Sequence, residues 1–383
     1  MGAHFGVVLV RAEGAQVEVA TFRSDHDYLD GRHPSTVRFE KDAREDVLRR
    51  DFTINGLMLD PDSGQVLDWV GGQADLQGRV IRAIGDPESR FREDHLRLLR
   101  AVRFAARLGF EIEPITFAAI RAHHASIRSV SAERIRAELD RILTEGGARR
   151  GFEMLDATSL LNSLLPEIAA MKGVAQPPEF HPEGDVWVHT LLMLEKLGET
   201  SPALAWGTLL HDVGKPPTFR VAERIRFDGH VEAGVKLAEG IFERLRFSRD
   251  DAEQATALIA NHMRFQDVTR MKDSTLKRFL RLPRFEEHLE LHRLDCLSSH
   301  AHLENYEFVR QKREEFGQEQ LRPQPLVRGQ DLIAVGYRPG PQFSQMLAAV
   351  EDAQLEGRIT TKEQGLELVE HLFGAHTRDR TDT

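Results

Sequence analysis

Three short runs set charged and hydrogen-bonding side chains among apolar ones. The first is Arg49-Arg50-Asp51-Phe52-Thr53-Ile54-Asn55-Gly56 and the second is Phe91-Arg92-Glu93-Asp94-His95-Leu96-Arg97-Leu98-Leu99-Arg100. The third is Leu209-Leu210-His211-Asp212-Val213-Gly214-Lys215. Stranding an Arg, Asp or Asn among apolar residues is expensive, so these groups are either paired or used. Read as helix, the first run places Asp51 and Asn55 four residues apart on one face. A carboxylate and an amide projecting together can bind sugar hydroxyls and phosphate-bound water or metal. In the second run, Asp94 and Arg97 are three apart on adjacent turns. A carboxylate accepts from an exocyclic amino group, and a guanidinium donates to a ring nitrogen or carbonyl. Cytosine and adenine each offer an amino group beside a ring acceptor, whereas uracil and guanine lack that amino position. The competing readings are structural: a capped helix start for the first run, and for the second a plain ion pair worth about 0.3–0.5 kcal/mol.

The third run closes an apolar stretch, residues 203–210, and has His189 upstream and His230, His262 and Asp295 downstream. Imidazole and carboxylate donors in this mixture suit Mn, Ni, Fe, Zn or Mg. Adjacent His and Asp diverge by about 100° on a helix, so they meet a metal only in a crevice between helices. Water activated there attacks a phosphoester. Any one of these histidines alone reads as an ordinary core or surface residue; the series, followed directly by Gly214-Lys215, carries the metal reading.

The elements that position these runs are readable from pattern. Residues 5–10 and 17–22 are β-branched runs around a Glu13-Gly14 turn and predict two strands. Residues 24–38, with Asp25, Asp27, Asp30, Gly31 and Pro34, read as loop. Residues 44–59 read as one helix stopped by Asp60-Pro61-Asp62-Ser63-Gly64, and residues 66–69 as a short strand before Gly71-Gly72. From Pro87 onward the chain reads as helical, with Leu96, Leu99, Val102, Phe104, Ala106 and Leu108 on one apolar side and Gly109 closing that helix. Gly146-Gly147 reads as a domain boundary and Arg322-Pro323-Gln324-Pro325 as a linker.

The chain has 383 residues, 41% hydrophobic and 29% charged, with net charge -10 and a single cysteine, Cys296. That length admits two or three domains with a sizeable core. No apolar run approaches the roughly 20 residues that cross a bilayer. One cysteine excludes a disulfide framework and a Cys-based zinc site, and fits a reducing cytoplasm. The net charge argues against a basic coat for nucleic acid. Residues 90–150 nevertheless hold 13 Arg and no Lys against 8 Asp and Glu. They read either as an arginine-rich helical surface paired to its own acids or as a phosphate-binding one.

Arg49-Arg50-Asp51-Phe52-Thr53-Ile54-Asn55-Gly56 and Glu93-Asp94-His95-Leu96-Arg97 together closely resemble motifs of the class II tRNA nucleotidyltransferases (CCA-adding enzymes) and their poly(A) polymerase relatives. His211-Asp212 in its setting resembles the HD phosphohydrolases. Asp68-Trp69-Val70-Gly71-Gly72-Gln73-Ala74-Asp75-Leu76 resembles the family's flexible head–neck segment. Ser131-Ala132-Glu133-Arg134-Ile135-Arg136-Ala137-Glu138-Leu139 resembles a helix-buttressing motif. The resemblance implies an α+β chain: a truncated nucleotidyltransferase-type β-sheet head to residue 85, a helical neck over 86–146, a helical HD domain over 147–320 and a helical tail over 321–383.

The implied activity is addition of CMP and AMP from CTP and ATP to tRNA 3′ ends, joined to HD-type phosphoester hydrolysis. In that resemblance Asp51 contacts the ribose, and Arg50 and Asn55 help hold the nucleotide. Asp94 and Arg97, with Glu93 and Arg100 beside them, select the base. His189, His211, Asp212 and Asp295 are metal ligands, His230 and His262 match auxiliary ligand positions, and Lys215 contacts phosphate. The implied cofactors are Mg2+ at the transferase site and a divalent transition metal such as Ni2+ or Mn2+ at the HD site. The implied partners are CTP, ATP and the tRNA acceptor arm, with no membrane; a homodimer stays open. The family's Gly-Gly loop and Asp-x-Asp pair do not precede these motifs, and Glu18 alone matches the position of a third metal carboxylate. The expectation is an N-terminally truncated head. The alternatives are a hydrolase with a degenerate head and a poly(A) polymerase or A-only adding enzyme.

Overall fold

The structure, a computed structural model, describes residues 7–12, 15–28, 34–39, 42–179 and 181–374. Its contacts group into two units, Met1–Ala260 with Ser298–His300, and Asn261–Leu297 with Ala301–Thr383.

The first unit opens with two antiparallel hairpins. Val7–Ala12 pairs with Ala15–Ala20, setting Val8 opposite Val19, Val10 opposite Val17 and Leu9 opposite Glu18. Alternation therefore collects four valines on one face and Leu9 with Glu18 on the other. Both faces are solvent-exposed, Val8 at 58% and Leu9 at 52%. The expected turn at Glu13-Gly14 lies outside the described residues. The stretch expected as loop is instead a second hairpin, Arg23–Tyr28 against Pro34–Phe39. Its first strand, Arg-Ser-Asp-His-Asp-Tyr, has no apolar alternation for a sequence reading to find.

The single helix expected over 44–59 is broken into three pieces. Ala43–Leu48 is a helix capped by Asp42, whose side chain accepts from the Arg44 N–H at 2.9 Å. Thr53–Asn55 is one 3-10 turn, and Met58–Leu59 is a strand paired with Val66–Leu67. Phe52 causes the break: it is extended (φ -126, ψ 151), bridges to Ala83 and buries its ring completely. Burying an aromatic ring outweighs continuing a six-residue helix.

Val80–Ile81 lies parallel to Glu111–Ile112, and around this pair pack Pro87–Glu93, Arg97–Leu108, Pro114–His123, Ala132–Thr144 and Ala148–Ala157. Arg97–Leu108 buries Leu98, Leu99, Ala101, Val102 and Ala105 and stops at Gly109, which is left-handed at φ 66. Phe104 is only partly buried and Leu108 is 43% exposed, so the apolar stripe is narrower than its spacing predicts. One core runs from Phe52 to Ile259. At Gly147 (φ 75), a Cβ would run into the Ala106 carbonyl, so glycine there lets the chain pass close to the end of Arg97–Leu108. The unit continues with Val186–Lys196, Pro202–Leu210, His230–Arg244 and Arg249–Asn261.

In the second unit, Asp273–Leu280, Phe285–Ser298 and Glu304–Leu321 surround Phe265, Phe279 and Phe285. Three further helices, Gly329–Ala334, Gln342–Leu355 and Lys362–Phe373, close over Leu332, Val350 and Val369. Arg278 ties the two groups by donating to Glu351 at 2.7 Å. Among the described residues no helix is long and apolar enough to cross a membrane.

Candidate nucleotide cavity and candidate metal cluster

The break at Phe52 sets the geometry of the first site. Because residues 51–55 are not a helix, Asp51 and Asn55 meet through a local turn rather than across a helical face. Asp51 Oδ1 accepts from the Phe52 N–H at 2.9 Å and from Asn55 Nδ2 at 2.9 Å. Its Oδ2 accepts from Arg100 Nε at 2.7 Å. Arg50 donates to Asp46 at 3.1 Å and to the Asn55 carbonyl at 2.8 Å. Gly72 supports this turn from beneath: a Cβ there would strike the Thr53 carbonyl. Only Gly71 of the pair is left-handed, at φ 78. Asp68 accepts from the Gly72 N–H at 2.9 Å and the Gln73 N–H at 2.9 Å. Close backbone approach at Gly72, and not only dihedral freedom, therefore explains the Gly71-Gly72 pair.

Asp94 and Arg97 do not sit on one helix, as their spacing predicts, and do not pair with each other. Asp94 is the C-cap of Pro87–Glu93, and Arg97 opens the next helix. Arg97 donates to Glu93 at 2.7 Å and to the Arg49 carbonyl at 2.9 Å. Asp94 accepts from the Leu96 N–H at 3.0 Å and from Arg134 at 2.9 Å. Each is thus held by a third party and leaves one edge toward the same space. That space is a cavity of about 510 Å³ lined by Arg49, Arg50, Asp51, Asn55, Asp94, Arg97, Arg100 and Phe104. Glu93 stands behind Arg97 rather than in the lining.

Three residues were not expected at this cavity: Phe104 reads as an apolar-face residue, and Arg134 and Glu138 belong to the run that reads as helix-buttressing. Arg103 stacks over the Phe104 ring at 4.1 Å and donates to the buried Glu138 at 2.6 Å. A Glu at helical spacing from Arg134 in an arginine-rich stretch carries no signal that it is buried. Most of those arginines are committed internally: Arg90 to Glu93, Arg92 to Glu88, Arg107 to Glu145, Arg149 to Glu153 and Arg150 to Glu111. The reading of this stretch as a surface paired to its own acids describes them; Arg121 is exposed.

The second site also lies within the first unit. His189 is fully buried on Val186–Lys196; His211 and Asp212, just past Pro202–Leu210, are 1% and 2% exposed. His230 opens His230–Arg244. At Gly214 a Cβ would collide with the backbone of His230 and Gly234, so glycine lets these two segments touch. The ligating atoms of His189, His211 and Asp212 all lie within 4.8 Å of one another. The Nε2 of His230 lies 3.9 Å from Asp212 Oδ1.

Each imidazole spends its Nδ1 on an oxygen that can only accept. His189 Nδ1 meets Glu183 at 2.7 Å, His211 Nδ1 meets the Thr208 carbonyl at 2.9 Å, and His230 Nδ1 meets the Phe227 carbonyl at 3.0 Å. Nδ1–H is therefore the donor in all three, and a neutral ring carries its lone pair on Nε2. Burial lowers the His230 pKa and favours that neutral form. His211 Nε2 lies 3.2 Å from Asp212 Oδ2, two electron-rich atoms that a cation between them reconciles. The donor set fits a divalent transition metal.

Sequence reasoning missed His181 and Glu183. Glu183 accepts from His181 at 2.9 Å as well as from His189. Burial opposes ionisation of Glu183, but these hydrogen bonds outweigh it and hold its carboxyl below the usual range. Their signal was the run His181-Pro182-Glu183-Gly184-Asp185 just ahead of His189. His262 and Asp295 are carried by the second unit, His262 buried at the start of His262–Arg270 and Asp295 half-buried on Phe285–Ser298. Glu18 is exposed in its hairpin, and no grouping of three or more metal-ligating side chains among the described residues includes it.

An arginine–carboxylate cavity and a His–Asp cluster are what the sequence resemblance implies for a nucleotide transferase joined to an HD domain. Family profiles agree: the Poly A polymerase head domain matches residues 1–82, the probable RNA and SrmB-binding site of polymerase A matches 109–172, and the HD domain matches 185–298. A CCA-adding enzyme of Streptococcus thermophilus is 30% identical over 96% of this chain and 81% of its own length. An A-adding tRNA nucleotidyltransferase of Deinococcus radiodurans is 33% identical over 87% and 80%. The chain belongs to the tRNA nucleotidyltransferase (CCA-adding enzyme) and poly(A) polymerase family, and it is an enzyme carrying an HD domain. Among solved structures, the Bacillus stearothermophilus CCA-adding enzyme in complex with CTP matches at TM-score 0.70, 23% identity, 97% of this chain and 82% of that one. A Thermotoga maritima CCA-adding enzyme complexed with tRNA_CCA matches at 0.54 and 19% identity, over 97% and 82%. These structural likenesses concern the fold.

Proposed function

We propose that this chain adds CMP and AMP to tRNA 3′ ends from CTP and ATP, and that its HD cluster hydrolyses phosphoesters at RNA 3′ ends. The observation that carries the first part is the separation of Asp94 from Arg97. Held by Arg134 and by Glu93 respectively, they face one cavity without neutralising each other. A carboxylate and a guanidinium kept apart can each meet one edge of a base: Asp94 accepts from the amino group, and Arg97 donates to the ring nitrogen or carbonyl. Asp51 and Asn55 meet sugar hydroxyls and phosphates, and Arg50 and Arg100 supply charge. In the transfer, the RNA 3′ oxygen bonds the nucleotide's α-phosphorus and pyrophosphate leaves. The family resemblance implies that Mg2+ serves this step.

For the HD cluster, a divalent cation such as Mn2+ or Ni2+ held by His189, His211, Asp212 and His230 supplies Lewis acidity toward water and phosphoester. The chain's own groups do the rest. Glu183 and the Thr208 carbonyl fix the imidazoles, and Lys215, 2.7 Å from Asp212, brings a positive charge for the phosphoryl oxygens. The exposed Arg121 and the RNA-binding profile over 109–172 support a tRNA acceptor arm as the polymer partner.

The test is incubation of tRNA lacking its terminal CCA with CTP and ATP together, followed by 3′-end sequencing. Addition of C, C and A supports the proposal; A alone, as the name of the Deinococcus relative describes, favours A-only addition. No addition beside metal-dependent hydrolysis favours a hydrolase.

A further inference from the structure

The segment between Ala169 and the Val186–Lys196 helix is pinned at both ends. Asp185 accepts from the Gly173 N–H at 2.6 Å and caps the helix through the Val188 N–H at 2.8 Å. Ala175 bridges to Asp185. Within this closed segment Gln176 is 5% exposed, and its Oε1 accepts from Lys215 Nζ at 2.6 Å. An ammonium has donors only, so oxygen is the amide atom that faces it, and the orientation of the amide is determined. Gln176 Nε2 therefore points away from the lysine nitrogen, and it is buried with no hydrogen-bond partner. Leaving a buried polar group unmet is costly. Nothing in packing demands an amide here, since a carboxylate would serve Lys215 equally well.

Lys215 in turn donates to Asp212 Oδ2 at 2.7 Å, which places this amide one side chain from the metal cluster. Gln176 and Lys215, joined through the amide oxygen, thus carry one neutral donor without a partner and one positive donor, both suited to a ligand that only accepts. A phosphoryl group is such a ligand. We infer that Gln176 Nε2 and Lys215 Nζ form a two-donor cradle for the phosphoryl oxygens of the phosphoester bound at the HD cluster. The inference rests on the reading of that cluster as a phosphohydrolase. Gln176 is its new member: a binding residue contributed by the 173–185 segment and not by the helices that carry the ligands. Burial without a partner is what distinguishes it from an ordinary partner of Lys215.

The test uses the full chain loaded with Mn2+ and inorganic phosphate as probe, by titration calorimetry, comparing wild type with Gln176→Glu and Gln176→Met. Gln176→Glu keeps the partner of Lys215 and turns the unmet donor into an acceptor, so it folds with its thermal midpoint kept or raised. Both variants lose at least about tenfold in phosphate affinity, the loss of one hydrogen bond to a charged group, and Gln176→Glu loses more. Mn2+ affinity stays within about twofold because no ligand has changed. Phosphate binding by Gln176→Glu equal to that of wild type overturns the cradle while leaving the hydrolase reading in place. Wild type that takes up Mn2+ but hydrolyses no phosphoester and binds no phosphate overturns the hydrolase reading and the cradle with it.

Discussion

The cavity beside Arg97 and the cluster around His211 share one unit and one core, yet they are held together by opposite means. In the cavity the charged groups are tied to protein partners before any ligand arrives: Asp51 to Arg100, Arg97 to Glu93, Asp94 to Arg134, and Arg49 and Arg50 both to Asp46. These pairs lie at a half-open surface, and their geometry does not depend on a guest. In the cluster, three imidazoles with fixed tautomers converge on one aspartate, and only Lys215 brings a permanent positive charge. The first arrangement is held by ion pairs already in place, with arginine in excess in the lining. The second is arranged around a cation and gains cohesion when one binds. Preorganisation by ion pairs suits recognition of a base edge, and convergence of lone pairs suits a metal.

Four experiments test this difference between the two sites. The largest effect belongs to the cluster. His211→Ala and Asp212→Ala are expected to lower phosphoester hydrolysis by about a thousandfold or more and to abolish the rise in melting temperature that Mn2+ gives wild type. Nucleotide incorporation should be untouched in both, which radiolabelled nucleotide transfer measures; loss of both activities together would show that the sites are not separate. Next comes Asp51→Ala, which unpairs Arg100 and removes the ribose acceptor. Transfer efficiency, read as kcat/KM for nucleotide, should fall by about a hundredfold at 2–3 kcal/mol for charge-assisted bonds. Metal-dependent hydrolysis should not change.

The smallest effect concerns a histidine outside either site. His288 is buried against Phe285, and its two ring nitrogens have no hydrogen-bond partner. Burial pushes its pKa down from 6.5 to about 4. The unfolded chain takes up a proton as the pH falls below 6.5 while the folded chain refuses it until about 4. The contribution to stability is therefore complete above 6.5 and declines by about 3 kcal/mol in all between 6.5 and 4, at 1.36 kcal/mol per unit. Urea midpoints at pH 7 and pH 4.5 should differ less in His288→Phe than in wild type. An equal difference in the two proteins would mean that this imidazole is not the group refusing the proton. The contrast with His189, which has Glu183 to receive its N–H, separates a histidine built to ligate from one that merely packs.

The sequence exposes the cavity better than the cluster's surroundings, and the reason is distance along the chain. Asp51, Asn55, Asp94, Arg97 and Arg100 come from two compact runs whose residue types are costly to place by accident. Arg134, Glu138, Gln176 and Glu183 come from elsewhere and are individually common, so only the fold shows that Arg134 holds Asp94 or that Gln176 meets Lys215. The helix expected over 44–59 fails for a similar reason, because the burial of Phe52 that breaks it is a tertiary event. The polar strand Arg23–Tyr28 has no periodicity to betray it. His211-Asp212 and His189 were legible as a series, while the tautomers that make them convergent rest on backbone carbonyls and on Glu183.

The central claim is that Asp94 and Arg97, kept apart by their own partners, choose the base. The most direct measurement is competition between CTP and UTP for incorporation into tRNA ending before its CCA, in wild type and in Arg97→Ala. Wild type should prefer CTP strongly, and the variant should lose most of that preference while its HD hydrolysis stays at the wild-type rate. A variant that still selects CTP over UTP as wild type does would contradict the account.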